Sequence, residues 1–376
     1  MRTDICDRLG IEFPIFAFSH CRDVVAAVTR AGGFGVLGAV GYTAEQLAVE
    51  LDWIDGEVGE KPYGVDIVIP QVDAGAHESD PEQLRNELVK QIPDEYFAYA
   101  RKVLEDAGVP ELPPGEFHNG MIVRSTSTTA RQHAAEALRH ERVRVIANAL
   151  GAPPQDLTDE IHASGRLVIG LCGSVEHARR HAAAGVDIIV AQGAEGGGHT
   201  GHIGSIVLWP QVVEAVAPIP VLAAGGIGSG AQVAAALALG AQGVWTGTLW
   251  LATDWSEMTA EQKDALVQAK SSDAIISRSL TGKRNRLLRS GWTEAWEKPD
   301  APPPLPLPLQ DLVAGEAVTR LARYPEYSRE VHITPAGQVV GMLNHIRPTK
   351  QVVIELVEEY VEATERLAAL NARASV

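Results

Sequence analysis

The chain has 376 residues, 45% of them apolar and 21% charged, enough for one large α/β barrel or two domains and too balanced for a disordered or fibrous protein. Its 32 basic and 48 acidic residues leave a net charge of −16, which disfavours broad contact with nucleic acid or an anionic membrane but not a local anion site. Three widely spaced cysteines, Cys6, Cys21 and Cys172, form no CxxC pair and are odd in number, so neither a disulfide framework nor a zinc site is expected and a reducing, cytoplasmic setting fits.

The N-terminal MRTDICDRLG carries charges where a signal peptide would be apolar, and no uninterrupted apolar run reaches membrane-spanning length. A soluble intracellular protein is the expectation. Short apolar runs then alternate with Ala-rich helical stretches in the rhythm of βα units. Strands are expected at Phe13–Phe18, Phe34–Leu37, Tyr63–Ile69, Val143–Ala147, Leu167–Leu171, Asp187–Ala191, Val221–Ala223 and Gly243–Thr246. Eight is the number that closes a parallel (β/α)8 barrel. Helices at Arg22–Arg30, Val175–Ala184 and Gly230–Leu239 follow strands one, five and seven.

The run 73–142 is too long for a plain βα connection and reads as an insertion with helices at Pro81–Gln91 and Asp94–Ala107. After Thr253 the rhythm stops. Residues 254–348 read as a mainly helical cap containing a helix-free proline-rich linker, Pro299–Pro308. Val353, Leu356, Val357, Tyr360 and Leu367 then recur at helical spacing, so 349–376 is expected to be an amphipathic helix docked on the barrel of residues 1–253.

Thirty-six glycines against 5% aromatics favour tight turns over a core of stacked rings. Many of them cluster in two segments. In VLAAGGIGSGAQVAAALALGAQGVWTGT, residues 221–248, Gly225-Gly226 follows the seventh strand and Gly247-Thr248 the eighth. Neighbouring glycine-rich loops at those two strands are the usual phosphate pocket of such a barrel, since backbone N–H groups can close on phosphate oxygens. In AQGAEGGGHTGH, residues 191–202, Gln192 sits at the end of strand six and an open glycine loop carries His199. A neutral imidazole there can take a proton from an acidic carbon. His202, in the same loop, is the competitor, and Glu195 either orients an imidazole or caps the loop. His177 and His181, four apart on one helix, read as a surface pair without a third metal ligand, so no metal site is expected. His133 and His140 are expected to be solvated, as is the basic run Lys283, Arg284, Arg286 and Arg289.

These segments resemble the nitronate monooxygenases, formerly called 2-nitropropane dioxygenases, which are FMN-dependent TIM barrels. AQGAEGGGHTG at 191–201 is close to the family's AQGxEAGGHxG, and IPVLAAGGIGSGAQVAAALALGAQGVWTGT at 219–248, FPIFAFSH at 13–20 and AGGFGVLG at 31–38 sit where the family places its strands. The resemblance implies an FMN-binding barrel with Gln192, Gly197 and Gly198 contacting the cofactor. Gly225 and Gly226 would form the first phosphate loop, and Thr246, Gly247 and Thr248 the second. Ala17, Phe18 and Ser19 would lie beside the flavin ring, and His199 would be the catalytic histidine. Three features depart from the pattern. Ala17-Phe18-Ser19-His20 replaces a Gln-Gly-Gly-Met-like run, bringing an extra imidazole near the flavin. Asp66 stands where many members have a flavin-bonding Asn, and Trp245 replaces a smaller or polar residue.

What this implies is oxidation of an alkyl nitronate by O2 to a carbonyl compound and nitrite. The alternative keeps FMN but uses NAD(P)H, a quinone or an acyl-CoA thioester. A third reading is a non-redox phosphate-binding barrel. The sequence leaves the oligomeric state open, a homodimer included.

Overall fold

The computed structural model describes residues 1–69, 81–113, 126–327 and 329–374. The parts of the expected insertion at 73–80 and 114–125 lie outside them. Eight parallel strands close a barrel: β1 (Ile15–Ser19), β2 (Phe34–Gly38), β3 (Tyr63–Ile67), β4 (Val143–Asn148), β5 (Leu167–Cys172), β6 (Ile188–Gln192), β8 (Val221–Ala224) and β9 (Gly243–Thr246). Each overlaps an expected strand, which makes the fold the expected TIM barrel. Closure is through β1, whose Phe16 lies opposite Phe34 on one side and Trp245 on the other.

These strands form because they are apolar on both faces, as a sheet covered by helices on one side and filled on the other requires. The interior is filled by Phe16, Phe34, Val36, Val145, Ile169, Ile188, Val190, Leu222 and Trp245. Ile5, Cys6 and Leu9 of the short helix Asp4–Leu9 join this cluster. That helix plugs the N-terminal end of the barrel, where Thr3 donates to the Gln242 carbonyl and Arg8 pairs with Asp187. With that end shut, ligand access falls to the C-terminal end. Truncating a packed ring such as Phe16 would cost about 3–5 kcal/mol. Outside the barrel, Gly35 allows the helix Arg22–Arg30 to press on β2, since a Cβ there would lie 2.4 Å from the Val25 carbonyl oxygen.

Two features depart from the expectations. The stretch after Thr253 contains a hairpin, β10 (Ala274–Ser277) and β11 (Asn285–Leu288), and β11 pairs antiparallel with β7 (Gly198–His199), a two-residue strand in the loop after β6. A hairpin whose partner is two residues long and lies some 85 positions earlier has no local signature in the sequence. In addition, Leu84, Leu88, Tyr96 and Leu104 of the insertion share one apolar cluster with Trp292, Trp296, Leu312 and Leu321 from beyond the barrel. No helix among the described residues is long and apolar enough to cross a membrane.

The histidines expected in water are inside. Helix Ser127–Leu138 buries Ala130, Ala134 and Ala137 against the barrel's outer core, carrying His133 and His140 inward. His133 Nε2 meets the Tyr42 carbonyl at 3.0 Å. His181 is also buried, with Nε2 2.9 Å from the Leu171 carbonyl oxygen, so His177 and His181 do not form a surface pair. His140 Nδ1 lies 2.8 Å from Asp55 Oδ2, and its Nε2 3.4 Å from Glu136 Oε1. The hydrogen bond to Asp55 raises the His140 pKa above its ordinary value. A raised folded-state pKa contributes stability that is full below the unfolded value of about 6.5 and is lost as pH rises through the folded value. Urea denaturation across pH 6 to 9 should show this fall, and Asp55→Asn should flatten it.

Candidate active site

At the C-terminal ends of the strands lies a cavity of about 1270 Å³, roofed by the β10–β11 hairpin and by segments around 307–311 and 333–339. That exceeds the ~300–1,000 Å³ typical of a single small-molecule pocket, leaving room for a cofactor and a second ligand. Gly225 and Gly226 follow β8 with φ of 82° and 79°, a conformation that L side chains resist. A Cβ at Gly225 would stand 2.8 Å from the Gly193 carbonyl oxygen. The amides of Gly226, Ile227, Gly247 and Thr248 border the cavity and have no protein acceptor among the described residues. Four such donors in adjacent loops suit a phosphate. The N-terminus of helix Gly230–Ala238 is already engaged by the protein: Glu359 accepts from its Gly230 amide, and Gln232 from Gly228. Thr248 Oγ1 accepts from the Gly337 amide at 2.8 Å, whereas the Thr246 hydroxyl donates to the Phe16 carbonyl at 2.9 Å. Trp250 Nε1 also donates to the Thr246 carbonyl and hydroxyl at 3.1 and 3.0 Å, so Thr246 is committed to holding the barrel wall.

The loop after β6 is built to hold one imidazole. Gln192 Nε2 donates to the His199 carbonyl at 2.9 Å, and Gly197 is forced to be glycine because a Cβ would lie 2.7 Å from the Gly337 nitrogen. His199 Nε2 is 2.8 Å from Thr281 Oγ1. Burial, and then the positive charge of Lys283, push the His199 pKa down to about 4, so the ring is neutral at physiological pH. His202 lines the same cavity but is exposed. Glu195 is a cap rather than an imidazole partner: its carboxylate accepts from the amide and hydroxyl of Ser205 at 3.0 and 2.8 Å, at the start of helix Ser205–Val216.

The basic run is solvated only in part: Lys283 and Arg289 are exposed, but Arg284 and Arg286 are tied to the loop after β6. Arg286 is 7% exposed and donates through Nε and Nη2 to the Ala194 carbonyl at 3.1 and 2.7 Å. Arg284 Nε donates to the Gly201 carbonyl at 3.2 Å, so the hairpin grips both ends of the loop that carries His199. Lys283 and Arg284 line the cavity, Lys283 from an exposed position.

The departures cluster on the opposite wall. Phe18 and Ser19 line the cavity, and Ala17 is buried behind them. His20 stands edge-on to Phe18 with Nδ1 3.1 Å from the Gly38 carbonyl oxygen. Trp245 stacks over Phe16 and Phe18 and borders the cavity, serving core and wall together. Asp66 is 5% exposed with its Oδ1 unpartnered, and burial alone raises its pKa to about 7. An ionised Asp66, which could only accept hydrogen bonds, would therefore prevail only above neutrality. Sequence reasoning passed over Thr281, Asn285, Glu257 and the segment 336–338, which also border this space or bind its loops. No local pattern marks any of them.

Adjacent glycine-rich loops with unpartnered amides and a buried histidine at the mouth of a TIM barrel suit the class of cofactor-binding barrel enzymes. A family model described as nitronate monooxygenase matches residues 3–359, and the chain belongs to that flavin-dependent family of oxidoreductases. It is 46% identical over 379 residues to a Mycobacterium tuberculosis protein named "Putative monooxygenase Rv1533", covering 99% of this chain and 100% of that one. Among solved structures it is similar to a nitroalkane oxidase from Streptomyces ansochromogenes (28% identity, TM-score 0.77, 96% of this chain and 99% of that one). It is also similar to FabK from Thermotoga maritima (26% identity, TM-score 0.73, 98% and 99%).

Arg286→Ala removes charged donors from buried carbonyls, so it should destabilise the protein by about 2–3 kcal/mol in urea denaturation. Arg286→Lys, lacking the fork that meets Ala194 with two nitrogens, should recover only part of that loss.

Proposed function

We propose that the protein is an FMN-dependent nitronate monooxygenase, oxidising alkyl nitronates with O2 to a carbonyl compound and nitrite. The carrying observation is the neutral imidazole of His199 in the same cavity as the four unpartnered amides. Those amides, from Gly226, Ile227, Gly247 and Thr248, would hold the phosphate. Gln192, Gly197 and Gly198, with the backbone at Ala17, Phe18 and Ser19 and the Trp245 face, would border the ring. The unpartnered Asp66 carboxyl fits a polar edge of the flavin, donating when protonated. Bound FMN would supply the electron acceptor that side chains lack.

The protein's own part is binding and proton handling. His199 takes the carbon-bound proton of a neutral nitroalkane or hydrogen-bonds a substrate already ionised. The Lys283 charge favours an anion beside it. His20 and His202 stand at the edge of the substrate space. The family, and the nitroalkane oxidase to which the chain is similar, support this reading.

The cavity supports a second reading. Its size, its cations Lys283 and Arg284, and the apolar Leu84, Leu88, Leu280 and Ile333 along its wall suit a larger anionic partner such as NAD(P)H or an acyl-CoA thioester. The likeness to FabK is compatible with it.

The purified protein should show flavin absorbance. Under anaerobic mixing a nitronate should bleach it rapidly and NADH, NADPH or an acyl-CoA should not; the reverse order would establish the second reading. His199→Ala should keep FMN and lose roughly 100-fold in turnover of a neutral nitroalkane. In the wild type, kcat/KM for that substrate should be level on the acid side until pH nears about 4, the His199 value. FMN should bind more tightly below than above pH 7, where Asp66 ionises, and Asp66→Asn should remove that dependence in a fluorescence titration.

A further inference from the structure

A neutral imidazole carries one proton and one lone pair, so a histidine base works through one nitrogen, chosen by what the other nitrogen bonds. In His199 the two nitrogens are not equivalent. Nε2 is engaged by Thr281 Oγ1 at 2.8 Å. Nδ1 has no protein partner and is not among the enclosed unpartnered atoms, while the ring lines the cavity.

We propose that Thr281 is a positioning residue whose hydroxyl accepts the Nε2 proton of His199, leaving Nδ1 as the atom that takes the carbon-bound proton of the substrate. The inference rests on the reading of His199 as the base. In the step it describes, the substrate C–H bond breaks, its electron pair stays on carbon, and the proton forms a new N–H bond at Nδ1. The resulting imidazolium keeps its Nε2 proton on Thr281, in a hydrogen bond strengthened by the new charge. With the proton placed the other way, the ring would face the cavity with an N–H group and could only donate.

The arrangement is fixed from both sides. The His199 backbone is held by its register opposite Asn285 and by the Gln192 side chain on its carbonyl. Thr281 is 3% exposed at the tip of the β10–β11 hairpin. The next residue, Gly282, has φ of 78°, and a Cβ there would lie 2.0 Å from the Leu305 carbonyl oxygen and 3.0 Å from the Leu307 nitrogen. Arg278 Nε donates to the Gly282 carbonyl at 2.7 Å, and Gln310 Nε2 to that of Ser279 at 3.0 Å. The proline-rich segment thus presses the hairpin tip onto His199. It gives a segment that sequence alone marks only as helix-free a part in setting the proton's position.

The test uses the FMN-loaded full chain. With 15N-labelled histidine, the His199 signals are identified by their loss in His199→Asn. The wild type and Thr281→Ser should show the Nε2–H form, and Thr281→Val a mixture. Kinetically, Thr281→Val should lower kcat for a neutral nitroalkane about 10- to 100-fold, leave turnover of the pre-ionised nitronate within about twofold, and be rescued by Thr281→Ser. An Nδ1–H form in the wild type would overturn the proposal, as would equal losses on both substrates. Full nitroalkane turnover in His199→Asn would remove the base reading and this inference with it. A wild type idle on both substrates would refute the nitronate reading alone, since the nitrogen shifts still decide the tautomer.

Discussion

The placement of the Arg286 guanidinium, buried against the carbonyl oxygens of Ala194 and Ala274, governs the geometry at the barrel mouth. Removing a guanidinium from water is costly unless its donors are satisfied. Its partners here are backbone oxygens of two segments far apart in sequence, so the loop after β6 and the hairpin beyond the barrel can be buried only together. Arg284 on Gly201, the β7–β11 pairing and the Gly337 amide on Thr248 extend the same seam. The barrel alone would present an open glycine loop. With the hairpin in place, that loop is tied down at Ala194, Gly198, His199 and Gly201, and the His199 ring is bonded to Thr281.

The electrostatics follow from this enclosure. The chain carries a net charge of −16, yet three of the acidic groups around the cavity are muted. Glu195 is spent on a helix start, and burial raises the pKa values of Asp66 and Glu257. Lys283 and Arg284 remain as cations on the cavity wall. A site of this composition favours anions within an acidic protein, consistent with both a phosphate-bearing cofactor and an anionic substrate. Lys283 also helps to keep His199 neutral, so one charge both attracts an anion and preserves a free lone pair beside it.

The barrel was legible because each strand announces itself locally, as a short apolar run ending at glycine or a polar residue. The glycine turn after β8 was legible for the same reason, since consecutive glycines at Gly225-Gly226 have no common use other than tight turns and close approach. Residues whose role depends on distant partners were not legible. Thr281 is an ordinary threonine until the hairpin folds onto β7, and Arg286 looked like one more surface charge in a basic run. His133 and His140 seemed solvated because the insertion appeared to reach residue 142, when helix Ser127–Leu138 already packs on the barrel. Glu195, open between two roles, was settled by the nearness of Ser205.

On the proposed function, cofactor and base meet in one cavity completed by the hairpin. A crystal structure of the FMN complex tests it most directly. The phosphate should lie on the amides of Gly226, Ile227, Gly247 and Thr248, with the ring between the Ala17–Ser19 backbone and the loop bearing His199. A phosphate bound elsewhere, or a flavin ring out of reach of His199, would contradict it.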